Sequence, residues 1–488
     1  MQTKELEGKR KVGAGLKLYN LIGSYYLWLL CIVLGLVVYM TGADSYVRAR
    51  NIYFVAAFLF LVLFFREFRF KRLVPLKIPL ILFAIVVIFA YLSLLNAARI
   101  DWTLKYINFN LWLSLFFLIF SYFMMLAFSR KHTNFFVFLI GLALVIIEII
   151  TIKIWLAHGG WPYRSAIGLT GVIIFGTWLL LGLAFGYASI FVFKGPWKIL
   201  GFLLLILALA SLVANNTRTF FLALPFMLIL PAFIIKYKYK ATIIIVCIIA
   251  LIALFIGFYN YSGKLNPRFD AKAMVKNIHT VWSVAPGEMG RFDVNCATSN
   301  LCSKFSYPLD KKVHFEESSL IRLSLLKSIL LAIKENPFRP NGYYPREFVY
   351  NLEKNFWDYK DVRYPFAYVP AHDTDIKDGN PHTYIHPHDS AVSAIFELGI
   401  IGALAIYLFT IFMFYVGVYI YRHNRGVYKF WGMFLCIFLL GESISFFFDW
   451  LILFAAQMVL FVFYGITLGI YAKTLLDKKL KRGYFKSL

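Results

Sequence analysis

The chain consists of long apolar runs that are separated by short polar stretches. A helix needs roughly 20 mostly apolar residues to cross a bilayer, and about twelve runs approach or reach this length. They lie near residues 20–40, 51–66, 78–95, 107–128, 134–156, 167–193, 198–214, 219–235, 241–259, 391–420, 427–448 and 450–472. The pattern predicts an all-α polytopic membrane protein with about twelve transmembrane helices.

One long polar segment interrupts this series after the ninth run. It covers residues 260–389 and has the composition of an ordinary soluble segment. The chain therefore divides into an N-terminal membrane domain at 1–259, a large extramembrane loop region at 260–389, and C-terminal helices with a tail at 390–488.

Composition supports a membrane protein, since 61% of residues are hydrophobic and only 15% are charged. The net charge of +25 would suit nucleic-acid binding only if the basic residues shared one soluble surface. More than half of the 50 Lys and Arg residues instead lie in short loops and tails, at 4–17, 66–77, 130–131, 194–198, 236–240, 422–429 and 473–486. Such loops are typical of the cytoplasmic side. Both termini are therefore expected in the cytoplasm and 260–389 on the opposite side, with no nucleic-acid partner.

No phosphate-binding loop, dinucleotide fingerprint or Ser/His/Asp signature occurs in the sequence, so no nucleotide cofactor is expected. Chemistry is expected in 260–389 or at its junctions with the membrane. Cys296 and Cys302 also lie there. They either form a structural disulfide or remain thiols, and the sequence leaves both open.

An amphipathic helix is predicted over 318–334, between a pair of serines and Asn336-Pro337. At about 100° per residue, Arg322 falls on its apolar side. A guanidinium there either snorkels to water or meets an anion in a cavity below.

A second arginine, Arg218, follows the tight turn between the runs at 198–214 and 219–235. A lone arginine in such a loop is usually an interface anchor. Arginine also binds phosphates through two parallel hydrogen bonds. Two outward arginines at membrane depth therefore suggest a diphosphate ligand, with Arg164 of the neighbouring outer loop as a supporting residue.

The densest polar stretch is 381–390, which contains three of the nine histidines: His382, His386 and His388. Three interpretations are open. His388 acts as a general base towards a hydroxyl, or His386, His388 and Asp389 bind a metal, or the cluster only caps the next helix. Pro387 between the histidines argues against joint metal binding, so no metal site is predicted. The acidic turn Asp373-Thr374-Asp375 is expected to be solvated.

Three elements together resemble the O-antigen ligase and polymerase family of bacterial membrane glycosyltransferases. Arg218-Thr219-Phe220-Phe221-Leu222 is similar to the family's Arg-x3-Leu element, and His388-Asp389 followed by Gly399-Ile400-Ile401-Gly402 is similar to the ligase His and Gly-x-x-Gly pattern. Ser319 to Arg322, leading into Lys334-Glu335-Asn336-Pro337-Phe338 and Gly342, resembles its external helix and turn. The resemblance covers residues 200–410. Asp389 departs from the Asn, Ser or Gln that ligases usually carry there.

The resemblance implies a glycosyltransferase of the GT-C type in the bacterial inner membrane, with a periplasmic active site. The donor would be a glycan on undecaprenyl diphosphate and the acceptor a sugar hydroxyl of lipid A-core. Arg218 and Arg322 would bind the diphosphate and His388 would deprotonate the acceptor, with His386, Asp389 and Arg164 in support. The reaction would invert the anomeric carbon and need no cofactor.

Two alternatives stay open. A polymerase of the same family would use a second lipid-diphosphate-linked chain as acceptor. A polysaccharide transporter would instead need ionisable residues along one path through the membrane, and the candidates Glu148, Lys153, Glu397, Glu442 and Asp449 are scattered in the sequence.

Overall fold

The computed structural model describes Val55 and residues 70–160, 163–166, 172–236, 238–265, 270–283, 317–344, 347–348, 389–448 and 454–481. The predicted spans at 20–40 and 51–66 lie outside these residues, apart from Val55. Cys296, Cys302, the Asp373-Thr374-Asp375 turn and all three histidines of the cluster before Asp389 also lie outside them.

Helices account for all regular structure in the described part of the chain, in which no strand occurs. They are α1 (Lys77–Leu92), α2 (Ile100–Ile107), α3 (Leu113–Ala127), α4 (Arg130–Ala157), α5 (Val172–Val192), α6 (Pro196–Asn215), α7 (Arg218–Ile234), α8 (Lys240–Leu265), α9 (Ala271–Ser283), α10 (Glu317–Glu335), α11 (Ser390–His423), α12 (Val427–Phe448) and α13 (Phe454–Lys481). Short 3₁₀ helices flank α1 at Phe70–Leu76 and Ser93–Leu95, and the π-helical turn Asn108–Trp112 joins α2 to α3.

The hydrophobic pattern predicted the apolar helices correctly, whereas α9 was not predicted. Among the described residues, nine helical segments are long and apolar enough to cross a membrane, and Arg218–Ile234 is a shorter apolar helix. These ten segments correspond to the ten predicted runs that the structure describes. The protein is an all-α polytopic membrane protein.

Small residues allow neighbouring spans to approach closely, as is usual where lipid provides no hydrophobic drive for helix association. A Cβ atom added to Gly186 of α5 would lie 2.7 Å from the Leu205 backbone nitrogen of α6. One added to Gly432 of α12 would lie 2.5 Å from the Gly417 carbonyl oxygen of α11. Larger side chains at these crossings would force the helices apart.

The connections between antiparallel spans lie at two opposite ends of the bundle. At one end, Asn424 Nδ2 donates to Thr474 Oγ1 at 2.9 Å, Lys473 Nζ donates to the Phe128 carbonyl oxygen, and Arg130 lies over the Tyr428 ring. We call the opposite end the site end. It comprises residues 93–99, 163–166, 214–217, 336–344 and Asp389.

Helix α11 is broken near its start by Gly399, whose φ of 68° and ψ of 167° are not helical. In a regular helix the Ile400 N–H would donate to the Phe396 carbonyl. Here the Ile400 nitrogen donates to the Pro337 carbonyl oxygen at 2.9 Å, and the Phe396 carbonyl accepts from the Asn341 nitrogen at 3.1 Å. The turn after α10 therefore supplies a new acceptor for the Ile400 N–H and a new donor for the Phe396 carbonyl.

The same turn also binds the connection between α1 and α2. Asn96 Nδ2 donates to the Pro340 carbonyl oxygen at 2.9 Å, and the Tyr343 nitrogen donates to Ser93 Oγ at 2.9 Å. Residues 336–344 thus hold α11 and the α1–α2 connection together.

Replacing Gly399 by Ala should destabilise the protein. Its backbone conformation is one that only glycine adopts readily, which alone costs about 1–3 kcal/mol for another residue. An added Cβ would also lie 2.6 Å from the Phe338 carbonyl oxygen. The thermal unfolding midpoint of the purified protein should therefore fall.

Gly257→Ala in α8 is the matched control, because a Cβ there meets nothing within 4 Å and alanine favours a helix. Equal unfolding midpoints for the two variants would contradict the role assigned to Gly399.

Candidate functional site

A buried turn joins α6 to α7 at the site end. Asn215, Asn216 and Thr217 expose only 0%, 2% and 4% of their surface. Asn216 has a left-handed φ of 54°, a conformation that Asn tolerates better than most residues, and its nitrogen donates to the Leu212 carbonyl at 3.0 Å. The tight turn that the sequence predicted is therefore a packed structural element, with Arg218 as the first residue of α7.

Arg164 is bound to this turn. Its Nη2 donates to Thr217 Oγ1 at 2.9 Å and its Nε donates to the Asn215 carbonyl oxygen at 3.4 Å. The next residue, Ser165, donates its backbone N–H to the Ala214 carbonyl at 2.9 Å. The structure thus brings Arg164 and the start of α7 together, although 53 residues separate Arg164 from Thr217.

The start of α7 favours an anion. Thr217 is the N-cap residue, but its side chain makes no capping hydrogen bond to the helix. Instead Thr217 Oγ1 donates to Asn215 Oδ1 at 2.6 Å. The partial positive charge of a helix N-terminus therefore adds to the charges of Arg164 and of the half-buried Arg218.

Two buried polar atoms border the same turn. Asn216 Oδ1 and Thr219 Oγ1 have no hydrogen-bond partner among the described residues, and their residues are 2% and 6% exposed. The Thr219 hydroxyl is able to donate to an oxygen of a bound anion.

Arg322 lies on α10, which packs against α9 and α11. Ile329 and Ala332 are buried in this helix, whereas Lys334 and Glu335 are exposed. Arg322 precedes Ile329 by two helical turns and shares its face, as the sequence predicted. Arg322 is half-buried. Burial lowers the pKa of Lys327, one and a half turns further along.

Asp389 is the N-cap of α11. Its Oδ1 accepts from the Val392 nitrogen at 2.9 Å, and Ser393 Oγ donates to its carbonyl oxygen. Asp389 is only 7% exposed, and this burial raises the pKa of its carboxyl to about 6, although the Val392 and Ala391 N–H groups act in the opposite direction. Asp389 therefore caps the first turn of α11. His388 directly precedes this fixed residue but lies outside the described residues, as does His386.

Two buried carboxyls behind the α11 break were not singled out together from the sequence. Glu397 is 4% and Glu347 is 0% exposed, and the two interact electrostatically. Glu347 Oε1 accepts from the Arg99 nitrogen at 2.7 Å, which anchors the start of α2. Nothing in the local pattern distinguishes Glu347, since its importance comes from a contact with a residue 248 positions away.

Residues 202–407 match the family model described as O-antigen ligase. The match includes Arg218, Arg322, His386, His388 and Asp389, and it confirms the resemblance that the three sequence elements indicated. Arg164 lies before the matched segment. No curated protein matches the chain.

The buried carboxyl of Asp389 should make stability depend on pH. Its pKa is 3.8 in ordinary surroundings and about 6 in the fold. The folded state therefore binds the proton more tightly and loses stability as the pH rises between these values. Relative to Asp389→Asn, the parent should lose up to about 3 kcal/mol between about pH 4 and pH 6.5. Unfolding midpoints across this range measure the difference.

Asp101→Asn serves as the control, since the Asp101 side chain is 70% exposed. A gap between the parent and Asp389→Asn that stays constant with pH would show that burial does not perturb this carboxyl.

Proposed function

We propose that this membrane protein, whose residues 202–407 belong to the O-antigen ligase family, is an O-antigen ligase. It transfers a glycan from undecaprenyl diphosphate to a sugar hydroxyl of lipid A-core. It is a GT-C-type glycosyltransferase of the bacterial inner membrane, with cytoplasmic termini and a periplasmic site. The observation that carries the proposal is the Arg164–Thr217 network at the uncapped start of α7, which gathers positive charge within reach of the bilayer surface.

The diphosphate of the donor binds where this charge is concentrated. Arg218 begins α7, and Arg164 is held beside it by Thr217 Oγ1 and the Asn215 carbonyl. In this proposal Arg322 contributes from α10, whose following turn is docked on α11. Arginine suits this role because its planar guanidinium stays charged and pairs with two phosphate oxygens at once.

The reaction is a displacement at the anomeric carbon of the donor sugar. His388 takes the proton of the acceptor hydroxyl, and the acceptor oxygen forms a bond to the anomeric carbon from the face opposite the diphosphate. The bond from that carbon to the diphosphate oxygen breaks, and undecaprenyl diphosphate leaves with the electron pair. The configuration is inverted, and the arginines stabilise the charge that develops on the leaving group.

The energy of this transfer comes from the lipid diphosphate itself, so the proposed reaction needs neither nucleotide nor metal. Asp389 fixes the first turn of α11 directly after His388. His388 is the residue directly before this cap in the sequence, and in this proposal His386 has only a supporting role.

A polymerase of the same family is the second candidate, because both reactions would use a glycan on a lipid diphosphate as donor. A deletion strain distinguishes the two. Loss of all long chains from lipid A-core, with polymer accumulating on the carrier lipid, indicates a ligase, whereas caps of a single repeat indicate a polymerase.

A transporter is disfavoured by the described spans. Their buried carboxyls lie on separate helices with different surroundings: Glu148 of α4 faces Gly182, Glu397 of α11 interacts with Glu347, and Glu442 of α12 interacts with Tyr464. Among the described residues no contact joins one of these three carboxyls to another, whereas ion or proton movement requires a continuous path.

Purified protein should transfer glycan from the diphosphate lipid to lipid A-core in the presence of a chelator and without nucleotide. The arginines supply the charge that a cation supplies elsewhere. Product formation is measured by the shift of the acceptor on a gel. Loss of activity with chelator, restored by one divalent ion, would refute metal independence.

Arg322→Ala should lower transfer by roughly 100-fold, as loss of one charge-stabilising donor does in other enzymes. Lys at this position should rescue poorly, because an ammonium lacks the planar pair of donors. Lys334→Ala, on the exposed face of the same helix, is the matched control and should stay active. Full activity of Arg322→Ala would mean that this arginine only snorkels.

His388→Ala should reduce turnover by roughly 100- to 10,000-fold, the usual contribution of a general base. Donor binding should change little, because the arginines remain. His386→Ala is the neighbouring control and should be tolerated better. If only the His386 variant loses activity, the base is His386; if neither loses it, the general-base mechanism fails.

A further inference from the structure

A short amphipathic helix, α9, follows the span α8 in the segment whose composition resembles that of a soluble protein. Four large apolar side chains of α9 are exposed: Met274 (40%), Val275 (51%), Ile278 (40%) and Trp282 (48%). At about 100° per residue they fall within one arc of roughly 100°. A helix of a soluble domain would bury such a face against protein. This face therefore needs another apolar environment.

The span α8 shows where the bilayer surface lies. All of residues 240–261 are described and none of them is buried, so lipid covers most of the surface of this span. A hydrocarbon layer of about 30 Å corresponds to about 20 residues of helix at 1.5 Å each, which leads from Lys240 to Asn260. Tyr259 and Tyr261 flank this position and are 43% and 60% exposed, as is usual for aromatic residues at a membrane interface.

Two contacts hold the start of α9 at this level. The Ala271 nitrogen donates to Ser262 Oγ of α8 at 3.0 Å, and Lys272 Nζ lies 5.6 Å from the centre of the Tyr259 ring. Asp270 caps the new helix, since its Oδ1 accepts from the Lys272 nitrogen at 2.9 Å. Because α9 begins beside Tyr259 and Ser262, it begins at the membrane boundary.

The polar face of α9 suits the headgroup layer. Lys272, Lys276 and His279 are exposed, and at about 100° per residue they lie next to the apolar arc. The helix Ala271–Ser283 contains no acidic residue. A helix that carries lysines beside an apolar face is typical of those that lie in the membrane surface, where the lysines attract anionic lipids.

We propose that α9 is an in-plane membrane helix. Its four exposed apolar side chains insert among the upper acyl chains of the surrounding bilayer, and Lys272 and Lys276 bind the phosphates of anionic phospholipids. Because α10 packs against α9, α9 holds the helix that carries Arg322 at a fixed height relative to the bilayer. This inference goes beyond the proposed function, since it concerns the lipid around the protein and not the glycan.

Spin labelling tests which surroundings the apolar face meets. The full-length protein, with its five cysteines replaced by Ala, receives the substitution Ile278→Cys and a nitroxide label, and is placed in lipid nanodiscs that contain phosphatidylglycerol. Power saturation measures the accessibility of the label to oxygen, which concentrates in lipid, and to a water-soluble nickel chelate. At position 278 the oxygen accessibility should exceed the nickel accessibility.

Lys276→Cys is the matched control, because it lies on the exposed polar side of the same helix, two residues away. There the nickel accessibility should exceed the oxygen accessibility. Ile249→Cys is the reference for lipid, since Ile249 is 61% exposed near the middle of α8. Unfolding midpoints equal to that of the cysteine-free protein establish that the labelled variants are folded.

Two results at position 278 would overturn the proposal. High nickel accessibility would place the apolar face of α9 in water. Low accessibility to both reagents would mean that protein covers this face, either a second copy of the chain or another segment of the same copy. The proposed transfer activity is measured separately and fails or holds independently of either result.

The phosphate contacts are tested by combining Lys272→Gln with Lys276→Gln in the protein labelled at position 278. In nanodiscs with phosphatidylglycerol the label should move towards water, because each lysine near an anionic surface contributes about fivefold to the attraction. In nanodiscs of phosphatidylcholine alone the two substitutions should change the accessibilities little. The same change in both bilayers, or no change in either, would refute binding of the lysines to anionic lipid.

Discussion

One broken hydrogen bond in α11 determines how the site end is assembled. The Ile400 N–H and the Phe396 carbonyl would pair with each other in an uninterrupted helix, but Gly399 separates them and both pair with the turn after α10. A buried backbone group that found no partner would cost about as much as a lost hydrogen bond. The turn must therefore stay docked wherever α11 is folded. This requirement ties α10, with Arg322, to the helix that follows His388.

The same reasoning explains the second irregular element, the turn between α6 and α7. Three residues with polar side chains are buried there, and they are satisfied largely by each other, by Ser165 and by Arg164. Non-helical backbone at the edge of a membrane is tolerated where protein surrounds it. Because the Thr217 side chain belongs to this network, it does not cap α7. The positive N-terminal end of α7 therefore remains suited to an anion. Stability and ligand chemistry thus depend on the same contacts.

Both elements place charge beside surfaces that are already rigid. Arg164 is held by two acceptors of the α6–α7 turn, and the turn after α10 is held by Phe396 and Ile400 of α11. Preorganised groups need little rearrangement when charge develops during a reaction.

The amino-acid sequence by itself determined the helical class, the ten described spans and the amphipathic helix with Arg322 on its apolar face, and its short motifs indicated the resemblance that the family model matches over residues 202–407. The spans and the helix face follow from local periodicity, because each depends on residues a few positions apart. The contacts of Arg164 with Thr217, of Asn341 with Phe396 and of Glu347 with Arg99 were decided only by the tertiary structure. Each joins residues 50 or more positions apart, and no periodic pattern specifies which distant polar group will satisfy a particular buried one.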